Sequence, residues 1–431
     1  MNDHQVLLAL DDDLRRSRLT VLFRLLLAIP HIIWVVLWTV GVFFAAIAGW
    51  VAALVTGRLP ESLHGFFCAY IRYVTHLTAY VSLVSNPYPG FTGEPGYPVD
   101  VTLPTAPEPQ RRWTIAVRIV LALPALLLAG ILGTGFHSGG GSWESTDGTK
   151  SGRGGLATIG GVTAVCGFLG WFASLATGRM PLGLRNLGAY GVGYAAQAYS
   201  YGLLLTDRYP NSDPEAVGPT WELPPHPVRL DLADDGRRSR LTVFFRFLLA
   251  IPHFVWLLLW GIAAFLAAIA NGFVALFTGR SAGSLHRFLA AYTRYSAHVI
   301  AFVSLVANPF PGFVGDPGYP VDIAIAAPER QNRWITFFRI FLAIPALLLS
   351  GALGVALLVV TFLGWFAALF TGRMPTGLRN LGAVCVRYQS QTNAYLFVIT
   401  DTYPHASPAL RSPPEPEPVY ADPFAPLPEA V

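Results

Sequence analysis

Lysine is almost missing from this chain. Lys150 is the only one among 431 residues, so nearly all of the basic charge is arginine. Charged residues of both signs amount to 13% of the sequence, about half the share of an ordinary soluble protein. That scarcity excludes a surface solvated in the usual way. The lack of a concentrated basic run excludes the electrostatic footprint of a nucleic-acid-binding protein. Cysteine is rare as well: Cys68, Cys166 and Cys385 fall at unrelated places, which leaves no disulfide, zinc or redox spacing to read and makes them small apolar packing residues. The segment Met1 to Asp13 is polar and acidic and lacks the basic-then-apolar plan of a cleaved leader. The first apolar run is therefore expected to remain in the protein as its own insertion signal.

What the chain has in abundance is apolar residues, 53% of the total, with a mean hydropathy of +0.48. Runs at Leu25 to Val55, Leu156 to Thr177, Phe247 to Thr278 and Ile340 to Thr371 exceed the roughly 18 residues that mark a membrane span. An integral membrane protein of all-α class is expected.

Self-similarity sets the organisation. Arg15 to Val21 returns as Arg237 to Val243, and Asn86-Pro-Tyr-Pro-Gly-Phe returns from Asn308 with one change. Each half is itself double. Phe23-Arg24 with Pro30 is echoed by Val117-Arg118 with Pro124, Phe245-Arg246 with Pro252, and Phe338-Arg339 with Pro345, while Thr-Gly-Arg recurs at Thr56, Thr177, Thr278 and Thr371. Four units follow, at 1–98, 99–225 with a Gly-rich insertion at 135–155, 226–320 and 321–405, with a Pro-rich tail at 406–431 whose composition reads as disordered. A short alternating stretch precedes each unit, at Val6 to Leu10, Val99 to Leu103, Val228 to Leu232 and Val321 to Ile325. This is the period of a strand, and the four are expected to pair into one small sheet, since single strands leave backbone groups unpaired.

Leu19 to Thr56 is apolar for longer than the hydrocarbon core is thick, so each unit is expected to fold back as a transmembrane helical hairpin. The turn is placed near Trp38 to Gly41, where the insertion falls in the second unit. Charge at the helix ends but not at the turns puts the strands, the Thr-Gly-Arg corners, the N-terminus and the tail in the cytoplasm. Glu61 to Ser85 and its counterparts carry a polar stripe, read as an amphipathic helix lying at the interface, with a third span per unit as the alternative.

Two residue sets invite functional readings. Arg24, Arg118, Arg246 and Arg339 lie about a turn inside apolar helices, and Arg58, Arg179, Arg280 and Arg373 close the Thr-Gly-Arg corners. Arginine suits phosphate, so all eight are expected to contact lipid headgroups, the first four either by snorkelling or by pairing with acids such as Asp100, Asp234 or Asp322. His31, His64 and His76 return as His253, His286 and His298, whereas the even units have Ala125, Arg185 and Gln197, then Ala346, Arg379 and Gln391. Ordinary polar packing is the first reading of these histidines. Metal or haem binding is the second, weakened by the lack of an i, i+4 pair, so no cofactor is expected. His137, Ser138, Ser142 and Asp147 sit in the insertion without the strand–turn–helix setting of a nucleophile elbow.

Phe23-Arg24 to Pro30, then Thr56 to Pro60, Tyr70 to Tyr73 and Tyr88-Pro89 together resemble a bacterial membrane family known as domain of unknown function 4389, in tandem copies. The resemblance implies a bacterial cytoplasmic membrane protein and carries no activity with it. The second unit departs furthest, with Gly193 where Arg72 aligns. A noncatalytic scaffold or accessory subunit of a membrane complex is expected, with lipids and a protein as its partners. A transporter or channel for a lipid-like or small solute is the alternative, since duplicated, proline-interrupted helices suit one. A lipid or cell-envelope enzyme comes third.

Overall fold

The computed structural model describes residues 6–135, 160–219 and 221–410. Most of the insertion, with His137, Ser138, Ser142 and Asp147, and the tail from 411 onward lie outside the described residues. In chain order the elements are β1 (Leu8–Leu10), α1 (Arg18–Thr56), α2 (Glu61–Val81), β2 (Val99–Val101), α3 (Arg112–Ala116), α4 (Arg118–Leu132), α5 (Val162–Thr177) and α6 (Leu182–Gly202). They continue with α7 (Pro214–Val217), β3 (Val228–Leu232), α8 (Arg240–Thr278), α9 (Gly283–Val303), β4 (Val321–Ile325), α10 (Arg333–Thr371) and α11 (Thr376–Leu396).

Among the described residues the expected hairpins are absent. α1, α8 and α10 are each one continuous helix of 39 residues, running through Pro30, Pro252 and Pro345 and ending at a left-handed glycine, Gly57, Gly279 or Gly372. Proline removes one amide donor, but nothing near Trp38 to Gly41 supplies the cluster of turn residues that a reversal needs. Instead the following helix packs back along the long one: Trp38 stacks on Tyr73 and Phe66, and Leu59 and Phe67 close on Gly49. Only the second unit breaks its long helix, and there the break is sewn shut. The Thr163 amide donates to Gly133 O at 3.1 Å and its hydroxyl to Leu132 O at 2.7 Å. The insertion thus leaves and re-enters one interrupted helix, α4 then α5, and gives no sign of a turn elsewhere.

Among the described residues three helices, α1, α8 and α10, are long and apolar enough to cross a membrane. Of the most apolar stretch of each, 11% is buried inside the protein for α1 and α8 and 44% for α10, so α10 is an inner wall and the other two are outer faces. A 39-residue helix is about 58 Å long against a core of about 30 Å.

The strands also differ from expectation. They form two separate antiparallel ribbons, β1 with β2 (Leu8 opposite Val101) and β3 with β4 (Val228 opposite Ile325). Each ribbon lies on the shorter helices of its own half, so the two never share an edge. The polar stripe of the shorter helices meets these ribbons and not a lipid interface, because the counter-charges stand on the strands: Arg72 and His76 of α2 reach Asp100 of β2. α6 and α11 are buried along most of their length. The two halves join through α10 against α4 and α5, and through reciprocal polar bonds, Asn186 to Ser407 at 2.9 Å and Asn380 to Asp213 at 2.9 Å.

Candidate functional site

The arginines one turn inside the long helices do not reach a surface. Arg24, Arg118, Arg246 and Arg339 are all at least 97% buried, and each guanidinium sits at the C-terminal end of the next shorter helix. Arg24 Nη1 donates to Tyr80 O at 2.6 Å and Ser85 O at 2.9 Å, and Nη2 to the carbonyl and side chain of Asn86. Arg246 repeats this on Phe302, Ala307 and Asn308, and Arg339 on Tyr395 and Thr400. Each also lies over an aromatic ring, 4.3 Å from the Tyr80 centroid for Arg24 and 4.1 Å from Tyr201 for Arg118. The last carbonyls of a helix have no amide partner and carry the negative end of its dipole, and a forked cation answers both needs. Of the acids expected as partners, Asp100, Asp234 and Asp322 pair with other residues. Arg118 alone gains a carboxylate, Asp207 at 2.8 Å.

The turns so gripped are strained. Leu83, Leu204, Leu305 and Val398 all have φ near +60°, a region that residues with a Cβ enter at a cost. A second buried donor holds each one. Arg16, itself paired to Asp12 at 2.8 Å, donates to Leu83 O, and Arg238, paired to Asp234, to Leu305 O. Gln110 and Gln331 do the same for Leu204 O and Val398 O. Sequence reasoning passed over these four residues. The signal available was the Asp-x-x-x-Arg spacing at 12 and 16, repeated at 234 and 238.

Arg58, Arg179, Arg280 and Arg373 are exposed. Their backbones are ordered by the neighbouring unit: Met180 N donates to Leu14 O, and Gln110 N to Gly57 O. The corner of each unit is thereby clamped to the helix start of its pair.

The six histidines occupy three kinds of place and do not converge. His31 Nδ1 meets the Tyr73 hydroxyl at 2.8 Å and stacks on Phe91, as His253 meets Tyr295 and stacks on Phe313. His64 lies beside Cys68, and His286 Nε2 beside Ala326 O. His76 and His298 hold Asp100 at 3.1 Å and Asp322 at 3.0 Å. Burial pushes the Asp100 pKa up, but bonds from His76 and the amides of Gly96 and Val101 outweigh it and hold the carboxyl below its ordinary value; Asp322 is treated alike. The odd–even alternation now has a reason. In the even units Gln197 and Gln391 grip backbone, donating to Val6 O and Val228 O at the first strand of each ribbon. Histidine takes a strand carboxylate, Asp100 or Asp322, and glutamine takes a strand-end carbonyl, that of Val6 or Val228.

Two cavities with room for an apolar ligand lie where the halves meet. One, of about 590 Å³, is lined by Pro124, Tyr194 and Tyr209 facing Phe362, Phe366 and Pro375. The other, of about 810 Å³, repeats it with the halves exchanged: Pro345, Tyr388 and Tyr403 face Phe168, Phe172 and Pro181. Apolar walls with a few polar edges suit acyl chains or other apolar ligands.

The family described as "Domain of unknown function (DUF4389)" matches residues 18–92, 156–212, 240–314 and 333–407. The second match opens at the end of the insertion, just before the broken helix resumes. No curated protein and no solved structure matches the chain.

Proposed function

Because the chain belongs to the DUF4389 family, in four tandem copies, we propose its role from geometry: a noncatalytic scaffold or accessory subunit embedded in the bacterial cytoplasmic membrane. The observation that carries this reading is the contrast between the two faces of the long helices. Their inner stripe, Arg24 and His31 on α1, is tied into the fold, while Leu22, Ile33, Leu37 and Phe44 stand exposed along the outer face. An outward surface of that kind is matched to lipid and to apolar helices of another protein. The exposed corner arginines, Arg58, Arg179, Arg280 and Arg373, suit headgroup phosphates at the rim, and the strand ribbons, the N-terminus and the tail face the cytoplasm. Extraction of the native assembly with its surrounding lipid, followed by mass spectrometry, tests this. A stoichiometric protein partner is expected.

A second reading rests on the twin cavities. They favour a carrier of lipid-like molecules, with two equivalent sites related by exchange of the halves. A protein that copurifies alone, holding one defined lipid in two copies, replaces the scaffold by this carrier.

A further inference from the structure

One arginine in the repeat has no counter-ion among the described residues. At the position of Arg72, the first unit pairs Arg72 with Asp100 at 3.1 Å, and the third pairs Arg294 with Asp322 at 3.5 Å. Both acids stand on the strand that leads into the following unit. The second unit has Gly193, and a Cβ there would lie 2.7 Å from Val217 and 3.2 Å from Leu8, so that space is filled. The fourth unit keeps the arginine, Arg387, although among the described residues its helix α11 is followed by no such strand.

Arg387 is 99% buried. Its Nη2 donates to the carbonyls of His405 and Ser407, while Nε and Nη1 have no partner among the described residues. A buried guanidinium without a carboxylate is costly, and more so with donors unmet. Burial lowers its pKa to about 10, so it stays a cation at neutral pH. Where the second unit is packed solid, the fourth has a cavity of about 760 Å³ between β3 and α11, lined by Arg387, Arg379, Asn380, Gln391 and His226. The acids on its wall, Glu215 and Asp231, are exposed and form no ion pair with Arg387. The Nε2 of His226 is buried and also unpartnered.

We propose that this cavity binds a phosphate-type oxyanion, free or as a lipid headgroup, with Arg387 as its counter-charge. The unmet Nε and Nη1 lie on different edges of the guanidinium, on either side of the occupied Nη2, so each offers one N–H to a separate oxygen of such an anion. The ligand restores the charge pairing that Asp100 and Asp322 supply inside the odd units.

The test uses the full chain in phosphatidylcholine nanodiscs titrated with inorganic phosphate, read by thermal unfolding. Native mass spectrometry of the same protein in discs containing phosphatidylglycerol forms the second arm. A saturable rise in melting temperature with phosphate assigns a free anion, and retention of one phosphatidylglycerol per chain assigns a headgroup. Either response is expected to vanish in R387M and to weaken about tenfold in R387K, which keeps the charge but does not place a donor where Nε and Nη1 stand. R387K also serves if R387M fails to fold. The proposal is overturned if the wild type responds in neither arm, or if the response survives unchanged in the Arg387 variants.

Discussion

Replacing Arg24 by methionine keeps most of the side-chain length and removes the fork that closes the end of α2. Ser85 O and the two oxygens of Asn86 lose their donor at once, Tyr80 O keeps only the Leu83 amide, and the stack over Tyr80 is lost with them. An unmet buried acceptor costs about 1–3 kcal/mol, and a desolvated cation–π contact contributes about 1–2 kcal/mol. Methionine also relieves the burial of a charge, which offsets part of the loss, so the net cost is set at about 3–5 kcal/mol. With an unfolding entropy of about 2.1 cal/mol/K per residue, that is a fall of about 5 °C in a chain of this size. Tryptophan fluorescence during thermal unfolding in nanodiscs reads it directly, with Arg58→Met at an exposed corner as the control, expected within about 0.5 kcal/mol of wild type. If Arg24→Met melts with the control, the cap is not what holds the Leu83 turn, and the same account fails for Arg118, Arg246 and Arg339.

Asp100→Asn removes the charge that Arg72 and His76 share and is expected to destabilise by about 1–3 kcal/mol, measured as a drop in denaturant midpoint that narrows on acidification. The narrowing follows from sign: the folded pKa of Asp100 lies below its ordinary value, so its contribution is present above the unfolded pKa and is lost as pH falls through the folded one. His226 works in the same pH direction for a different reason. Burial lowers its pKa from 6.5 to about 4, so between those values the unfolded chain takes up the proton and the folded one does not. Stability is expected to fall by up to about 3 kcal/mol from pH 7 to pH 4, with a shallower slope in His226→Gln; identical slopes would remove the assignment. Gly161→Ala puts a Cβ 2.3 Å from Gly133 O and should unpick the seam between α4 and α5, seen as earlier hydrogen exchange at Thr163 than in wild type.

The sequence by itself determined the repeat, the membrane character and the family, because these depend on residue type and spacing along the chain. Thr-Gly-Arg recurs where a glycine must take a left-handed φ to end a helix, and Gly57, Gly178, Gly279 and Gly372 do so. The strands were legible from their period of two, and the shared polar stripe of α2 and α9 from its helical spacing. Partners were not legible, since they lie far apart in the chain: Arg24 and Ser85 are 61 residues apart, Asn186 and Ser407 221. An arginine inside an apolar run has the same local pattern whether it snorkels to a headgroup or caps a neighbouring helix. Only the packing of α2 against α1 brings carbonyls within its reach and decides between them. The hairpin expectation failed for a related reason. A run of apolar residues reports its solvent but not its direction, and what keeps α1 straight past Gly41 is the column of Tyr73, Tyr70, Phe66 and Phe67 laid along it from the next helix. The odd–even alternation of histidine and glutamine was visible in the sequence, but its cause was tertiary: an acid on β2 and β4 opposite one, a free carbonyl at Val6 and Val228 opposite the other.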